Sequence, residues 1–201
     1  MKKSILFILY LIVTSVSSAQ VSIGMRDTRY VNVSYLLKDH WEAKVEQSIN
    51  AGNADYQNTK IYLGYRHDLV SNTLHLSASP YYTIGWTPNY TQFGALLNTR
   101  WEPLKHLNLL ATINPHYDNM PGYKTCWLAG IAVPINDEIA IIAKYSTLPE
   151  YRVSEKRVRC GLEFKVKNLY VTPEASVSLE DGTAGLKAVR MCVNMSYTFK
   201  K

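Results

Sequence analysis

His75-Leu76-Ser77 sets a histidine two residues from a serine. On an extended strand, residues i and i+2 share a face, so the imidazole could serve as base to the hydroxyl. Such a pair needs a third group to orient the histidine, and no residue can be assigned that role from the sequence. His116 beside Asn114 is an equally generic pair. The chain has no glycine-rich phosphate loop and no metal-spaced set of cysteines and histidines, so neither cofactor nor metal is expected. Cys126, Cys160 and Cys192 are odd in number and widely spaced, and read as buried thiols, not a disulfide framework. No catalytic residue is assigned, and the chain is read as a non-enzyme.

Charge is the larger chemical resource. In RVRCGLEFKVK, which opens at Arg157, charged and apolar residues take strict turns. Strict alternation marks a strand with two unlike faces. Collected along the chain by this parity, the polar face carries Arg26, Lys44, Lys60, Arg66, Arg100, Lys144, Arg157, Arg159, Lys165 and Arg190. Opposing them are Glu42, Glu46, Glu163 and Glu174. Basic residues in such excess, gathered in an enclosed space, would hold water and favour anions.

Those charges must be positioned by strands. Alternation recurs in twelve runs, at 21–26, 31–37, 41–49, 60–66, 74–86, 92–101, 107–117, 126–133, 139–146, 157–166, 169–179 and 189–199. Ten strands is the fallback count. The connections at 38–40, 69–72, 103–106, 136–137 and 167–168 are tight. Those at 51–57, 119–124, 147–156 and 181–186 are longer and richer in Gly, Pro and Tyr. Short turns at one end and longer loops at the other are the asymmetry of a membrane-spanning barrel, with both termini on the short-turn side. Trp41 and Trp101 fall at the short-turn ends of their strands, and Trp86 and Trp127 at the loop ends. All four are expected as interface aromatics. From Leu74 to Trp86 a strand tilted by about 45° rises roughly 28 Å, close to an apolar bilayer core.

Two further expectations concern the wall and the bore. Pro80, Pro115, Pro134 and Pro173 each remove a ladder donor, and each is expected to mark a bulge. Leu36, Leu96, Leu110, Leu128 and Ile142 share the charged face and are expected to obstruct the bore.

The first nineteen residues have the form of an export leader: Lys2-Lys3, an apolar run, then Ser17-Ser18-Ala19. The expected division is a signal peptide at 1–19 and one barrel domain at 20–201. The net charge of +6 falls to about +4 without the two leader lysines, and forms no tract that would suggest nucleic acid.

The last nine residues, VNMSYTFKK, resemble the terminal β-signal of outer-membrane proteins, with alternating hydrophobes and an aromatic near the end. They depart from it in placing two lysines after Phe199. With the leader, this makes the chain resemble a small Gram-negative outer-membrane β-barrel. The resemblance implies an all-β closed antiparallel transmembrane barrel in the cell outer membrane, with periplasmic termini. It implies as partners outer-membrane lipid and the barrel-assembly machinery, reached through the C-terminal segment, and another outer-membrane protein is a further expected partner. The leading functional expectation is a structural or accessory component without chemistry of its own. The alternatives are a narrow, weakly anion-selective channel for small solutes and a lipid-modifying enzyme.

Overall fold

The computed structural model describes residues 20–37, 40–49, 58–69, 73–85, 90–119, 122–147, 149–150, 153–154, 156–179 and 189–199. Residues 1–19, Trp86, Lys200 and Lys201, the loops at 51–57 and 181–186, and parts of the other connections lie outside these residues.

The strands are β1 Gln20–Arg26, β2 Tyr30–Leu37, β3 Trp41–Ser48, β4 Asn58–Leu69, β5 Leu74–Gly85, β6 Thr91–Leu104, β7 Leu107–Asp118, β8 Gly122–Pro134 and β9 Ile139–Ser146. They continue with β10 Pro149–Glu150, β11 Val153–Ser154, β12 Arg157–Val166, β13 Leu169–Ser178 and β14 Val189–Phe199. Twelve of them form one closed barrel in the order β1-β14-β13-β12-β9-β8-β7-β6-β5-β4-β3-β2, and β10 and β11 form a separate two-stranded ribbon. All pairings are antiparallel, and the ring closes where Val21 to Met25 pair with Phe199 to Met195.

Alternation decides which way each side chain points. Ile61, Leu63, Phe93, Ile113, Ile141, Val166 and Phe199 are exposed on the outer wall. Their strand neighbours Tyr62, Gln92, Asn114 and Ile142 are buried inside. A wall apolar outside and polar inside, with its backbone paired around a closed ring, suits a hydrocarbon surround. Trp41, Trp101 and Trp127 are on the outer face. Trp41 packs edge-on against Tyr65 at 5.0 Å and Trp127 tilts against Tyr145 at 4.9 Å. Of the three free cysteines Cys126 and Cys192 are buried, whereas Cys160, on the outward parity, is exposed and corrects the expectation of a buried thiol.

The prolines behave differently from the expectation. At Pro80, Pro115 and Pro173 the ladder on one side skips two residues and then resumes in the same register. The other side pairs through, as Pro80 does with Ala95, Pro115 with Thr125 and Pro173 with Val193. A proline lacks a donor toward one neighbour only, so one side loosens and no residue is inserted. Pro134 pairs with Ala140 at the end of β8. The register shift among the described barrel strands lies between Trp101 and Leu104, around Pro103.

Glycine allows the walls to close at two of these sites. A Cβ on Gly94 would sit 2.7 Å from the Pro115 carbonyl oxygen, and one on Gly161 would overlap the Pro173 carbonyl oxygen. Both neighbours are backbone atoms and cannot swing aside as a side chain would. Gly161→Ala is therefore expected to cost about 1–3 kcal/mol through overpacking. The temperature at which the compact gel band of the folded barrel converts to the unfolded one should fall. An unchanged conversion temperature would show that the wall yields there.

Candidate functional site: a lumenal vestibule beneath a chain of charges

The interior divides into two zones. At the end where the short turns, Gln20 and Phe199 lie, a cavity of about 1070 Å³ opens inside the barrel. Its wall includes Glu42, Arg66, Asp68, His75, Arg100, Glu102 and Lys165, with Tyr62, Lys44 and Lys144 deeper in. Leu96, Leu110 and Leu128 line it without filling it. The expected obstruction is therefore absent from this half. A twelve-strand circumference leaves room that leucines on one arc do not span. Ile142 is buried, 2% exposed.

Acid–base pairs within and between neighbouring strands balance much of the vestibule rim. Arg66 Nη2 donates to Glu42 Oε2 at 2.6 Å. His75 Nδ1 lies 2.6 Å from Asp68 Oδ1, and Arg100 Nε donates to Glu102 Oε1 at 3.1 Å. These groups are well exposed, so each pair contributes little to stability. Asp68 is a partner for His75 that the sequence could not supply. The Ser77 hydroxyl accepts from Asn98 Nδ2 at 3.1 Å. Both face the vestibule, away from lipid, and no hydrogen bond joins His75 to Ser77 among the described contacts. The base–nucleophile contact of a hydrolase is thus not formed.

Above the vestibule, acids and bases alternate in an unbroken chain. Lys44 Nζ lies 3.4 Å from Glu46 Oε2. Glu46 takes a two-pronged bond from Arg26, 3.0 Å from Nε and 2.7 Å from Nη2. Arg26 Nη1 also donates to Asp27 Oδ2 at 3.1 Å. The other Asp27 oxygen accepts from Arg159 Nη1 at 2.6 Å. Arg159 Nη1 lies 3.8 Å from Glu174 Oε2, and Glu174 Oε1 accepts from Lys144 Nζ at 2.5 Å. The chain starts on β3 and ends on β9, six places away in the twelve-strand ring, which is the opposite wall. Its longest reach is from Asp27 to Arg159, across β14 and β13.

Local structure sets that reach. Asp27 and Thr28 form the tight turn between β1 and β2, both with positive φ (53° and 57°), closed by Arg29 N donating to Arg26 O at 3.0 Å. Left-handed residues at both centres of the turn give it the twist that suits a hairpin, and Arg29 completes the three-residue connection to Tyr30. The Asp27 amide donates to Asn194 Oδ1 at 2.9 Å, and Thr28 N to Val193 O at 3.1 Å. These bonds tie the turn to β14 and set the carboxylate over the bore. Tyrosines brace the bases: Arg26 lies over Tyr30 at 4.2 Å, Lys44 over Tyr62 at 4.9 Å and Lys60 over Tyr81 at 5.1 Å. Charges stacked on aromatic faces keep part of their stabilisation when solvent is thin.

Of the residues singled out by alternation, Arg26, Lys44, Lys144, Arg159 and Glu174 meet in the chain, with Glu46. Arg66, Arg100 and Lys165 join the vestibule wall. Arg157 is buried and donates to Ser176 Oγ at 2.9 Å. Arg190 lies opposite Ser176 at the start of β14 and is exposed, and Glu163 lies opposite Ala140. Neither belongs to the chain as traced. Sequence reading missed Asp27, Asp68, Glu102 and Asp118, which also face inward, so the basic excess is smaller than alternation alone suggested. Lys124, opposite His116, adds one base. Carrying the alternation one step past the ends of the runs at 60–66, 107–117 and 126–133 would have found Asp68, Asp118 and Lys124.

Breaking the chain and breaking a rim pair should differ. Glu46 is 0% exposed, whereas Arg26 is 40% exposed. Glu46→Ala is expected to cost about 3 kcal/mol, less whatever solvent at Arg26 recovers, and Asp68→Asn less than about 1 kcal/mol. Urea unfolding in lipid vesicles measures both, and equal shifts would contradict the division into a buried chain and a solvated rim.

Among solved structures, the chain is similar to a KdgM porin in complex with disordered oligogalacturonate. The TM-score is 0.65 at 12% identity, covering 90% of this chain and 99% of that one. A further KdgM porin structure gives 0.60 at 13% identity, covering 90% and 99%. A NanC porin gives 0.52 at 13% identity, covering 92% and 100%. No family model and no curated protein matches the sequence. The similarity extends over nearly the whole of each porin chain, and the fold of this chain is that of the small outer-membrane porins.

Proposed function

We propose that this protein is a narrow, weakly anion-selective outer-membrane channel for small acidic solutes, with both termini in the periplasm. The observation that carries this reading is the roomy vestibule. Basic side chains project into it, and Lys44 and Lys144 stand at its inner end. A barrel serving only as a rigid wall has no use for such a volume of solvated charge. Toward the loop end of the barrel, Asn58 Oδ1, Thr83 Oγ1 and Gln92 Oε1 are buried without a protein partner among the described residues. Polar atoms of that kind are costly unless hydrated, which supports a wet interior.

The porin neighbours fit a channel better than a purely structural barrel. The name of one includes oligogalacturonate, a chain of carboxylated sugars, and so supports acidic solutes as the class to try first. Carboxylates would be drawn by bases that cannot all be neutralised inside the bore. The structural reading retains one observation in its favour, the burial of Glu46 and Glu174 in the chain of charges.

Planar-bilayer recording of the refolded protein under a KCl gradient tests the proposal. Discrete conductance steps with a reversal potential on the anion side are expected. Arg100→Glu, at the vestibule wall, should lower the anion-to-cation permeability ratio about twofold or more. Silence from protein shown by its heat-modifiable gel band to be folded would instead leave a structural barrel.

A further inference from the structure

Asp27 presents a carboxylate to two arginines at one point of the bore. Its Oδ2 accepts from Arg26 Nη1 at 3.1 Å and its Oδ1 from Arg159 Nη1 at 2.6 Å. A carboxylate gripped by two guanidinium groups is the arrangement by which proteins recognise free carboxylate ligands. Here the gripped group belongs to the protein itself. We infer that the space between Arg26 and Arg159 is a binding seat for a solute carboxylate, held in the resting barrel by Asp27 as an internal stand-in. This rests on the channel reading and names the site at which the solute is recognised.

Three features distinguish the seat from an ordinary buried ion pair. First, Asp27 stands on a turn, not within a strand, and both turn residues are non-glycine with positive φ. A turn can shift without unzipping a strand ladder; to do so here it releases the bonds from the Asp27 and Thr28 amides to β14. Second, Arg26 does not depend on Asp27 for its position. Arg26 is anchored by the two bonds it donates to Glu46 and by the face of Tyr30, and Arg159 projects from β12. Withdrawal of Asp27 would leave Arg26 in place and Arg159 near Glu174 Oε2 at 3.8 Å, both facing the space for another carboxylate. Third, Arg26 is 40% exposed although its partners are buried, so solvent reaches the seat from its side.

The seat also lies on the path through the barrel. Lys44 and Lys144, the two ends of the charge chain, belong to the vestibule wall. An acidic solute entering the vestibule would meet these bases before the seat. Displacing Asp27 would break the longest span of the chain and join the two halves of the bore. An internal competitor lowers apparent affinity by the fraction of time the seat is free. Removing it should therefore tighten binding and widen the path together.

The experiment measures binding without requiring conduction. Glucuronate and glucose are titrated calorimetrically into the folded full-length barrel in detergent, for the wild type, Asp27→Asn and Asp27→Gly. Glycine suits the left-handed turn, so Asp27→Gly removes the carboxylate without straining the backbone there. Asp27→Asn keeps its shape. Both variants are expected to bind glucuronate at least about threefold more tightly than the wild type, with no gain for glucose. Arg159→Gln added to Asp27→Gly should abolish the gain. Variants that bind glucuronate no more tightly than the wild type would overturn the seat, and so would an equal gain for glucose. A silent wild type in bilayers, with the gain in binding intact, would remove the channel reading and leave the seat standing.

Discussion

In a bilayer a backbone N–H or C=O has no water to bond with, so a strand can cross only if both its edges are paired. The pairing of β1 with β14 meets that requirement by joining the two ends of the chain, Val21 with Phe199 through Met25 with Met195. Closure fixes the direction of every side chain, because each residue then faces either the surround or one enclosed bore. It also concentrates charge. Arg26, Glu46, Arg159 and Glu174 come from strands far apart in sequence and meet because the ring allows no other inward direction.

The enclosed charges divide by depth. Near the short turns the bore is wide and watery, and acid–base pairs such as Arg66 with Glu42 stay exposed. Further in, the chain from Lys44 to Lys144 spans opposite walls with almost every oxygen matched to a base. Buried pairs repay their desolvation only when geometry is good and further hydrogen bonds are present. Glu46 meets both conditions, with two bonds from Arg26 and a third from the Tyr62 hydroxyl at 3.2 Å. Glu174 meets them less well, since its Oε2 accepts no hydrogen bond among the described residues. The span between Arg159 and Glu174 is accordingly the loosest in the chain.

The strands were legible in the sequence because a period of two is short and repeats within each run. Parity at Arg157, Arg159 and Lys165 set them inward before any pairing was known, and the outward set held the tryptophans. Three things were not legible. Asp27 reads as a turn residue, and only closure of the ring brings it to Arg159, 132 positions away. The vestibule depends on the width of a twelve-strand ring, so inward leucines such as Leu96 look obstructive in a linear reading and are not. The prolines appear disruptive, yet Pro115 and Pro173 sit beside Gly94 and Gly161, whose missing side chains let the wall bend without a change of register.

The central claim is that the charged bore passes small acids in preference to neutral molecules of the same size. Release of trapped solute from proteoliposomes tests it most directly, with radiolabelled glucuronate and glucose compared at equal protein density and matched ionic strength. The two sugars differ chiefly in one carboxylate. Faster release of glucuronate, with the advantage shrinking as salt screens the bases, is the predicted result. Equal rates, or faster release of glucose, would contradict the account.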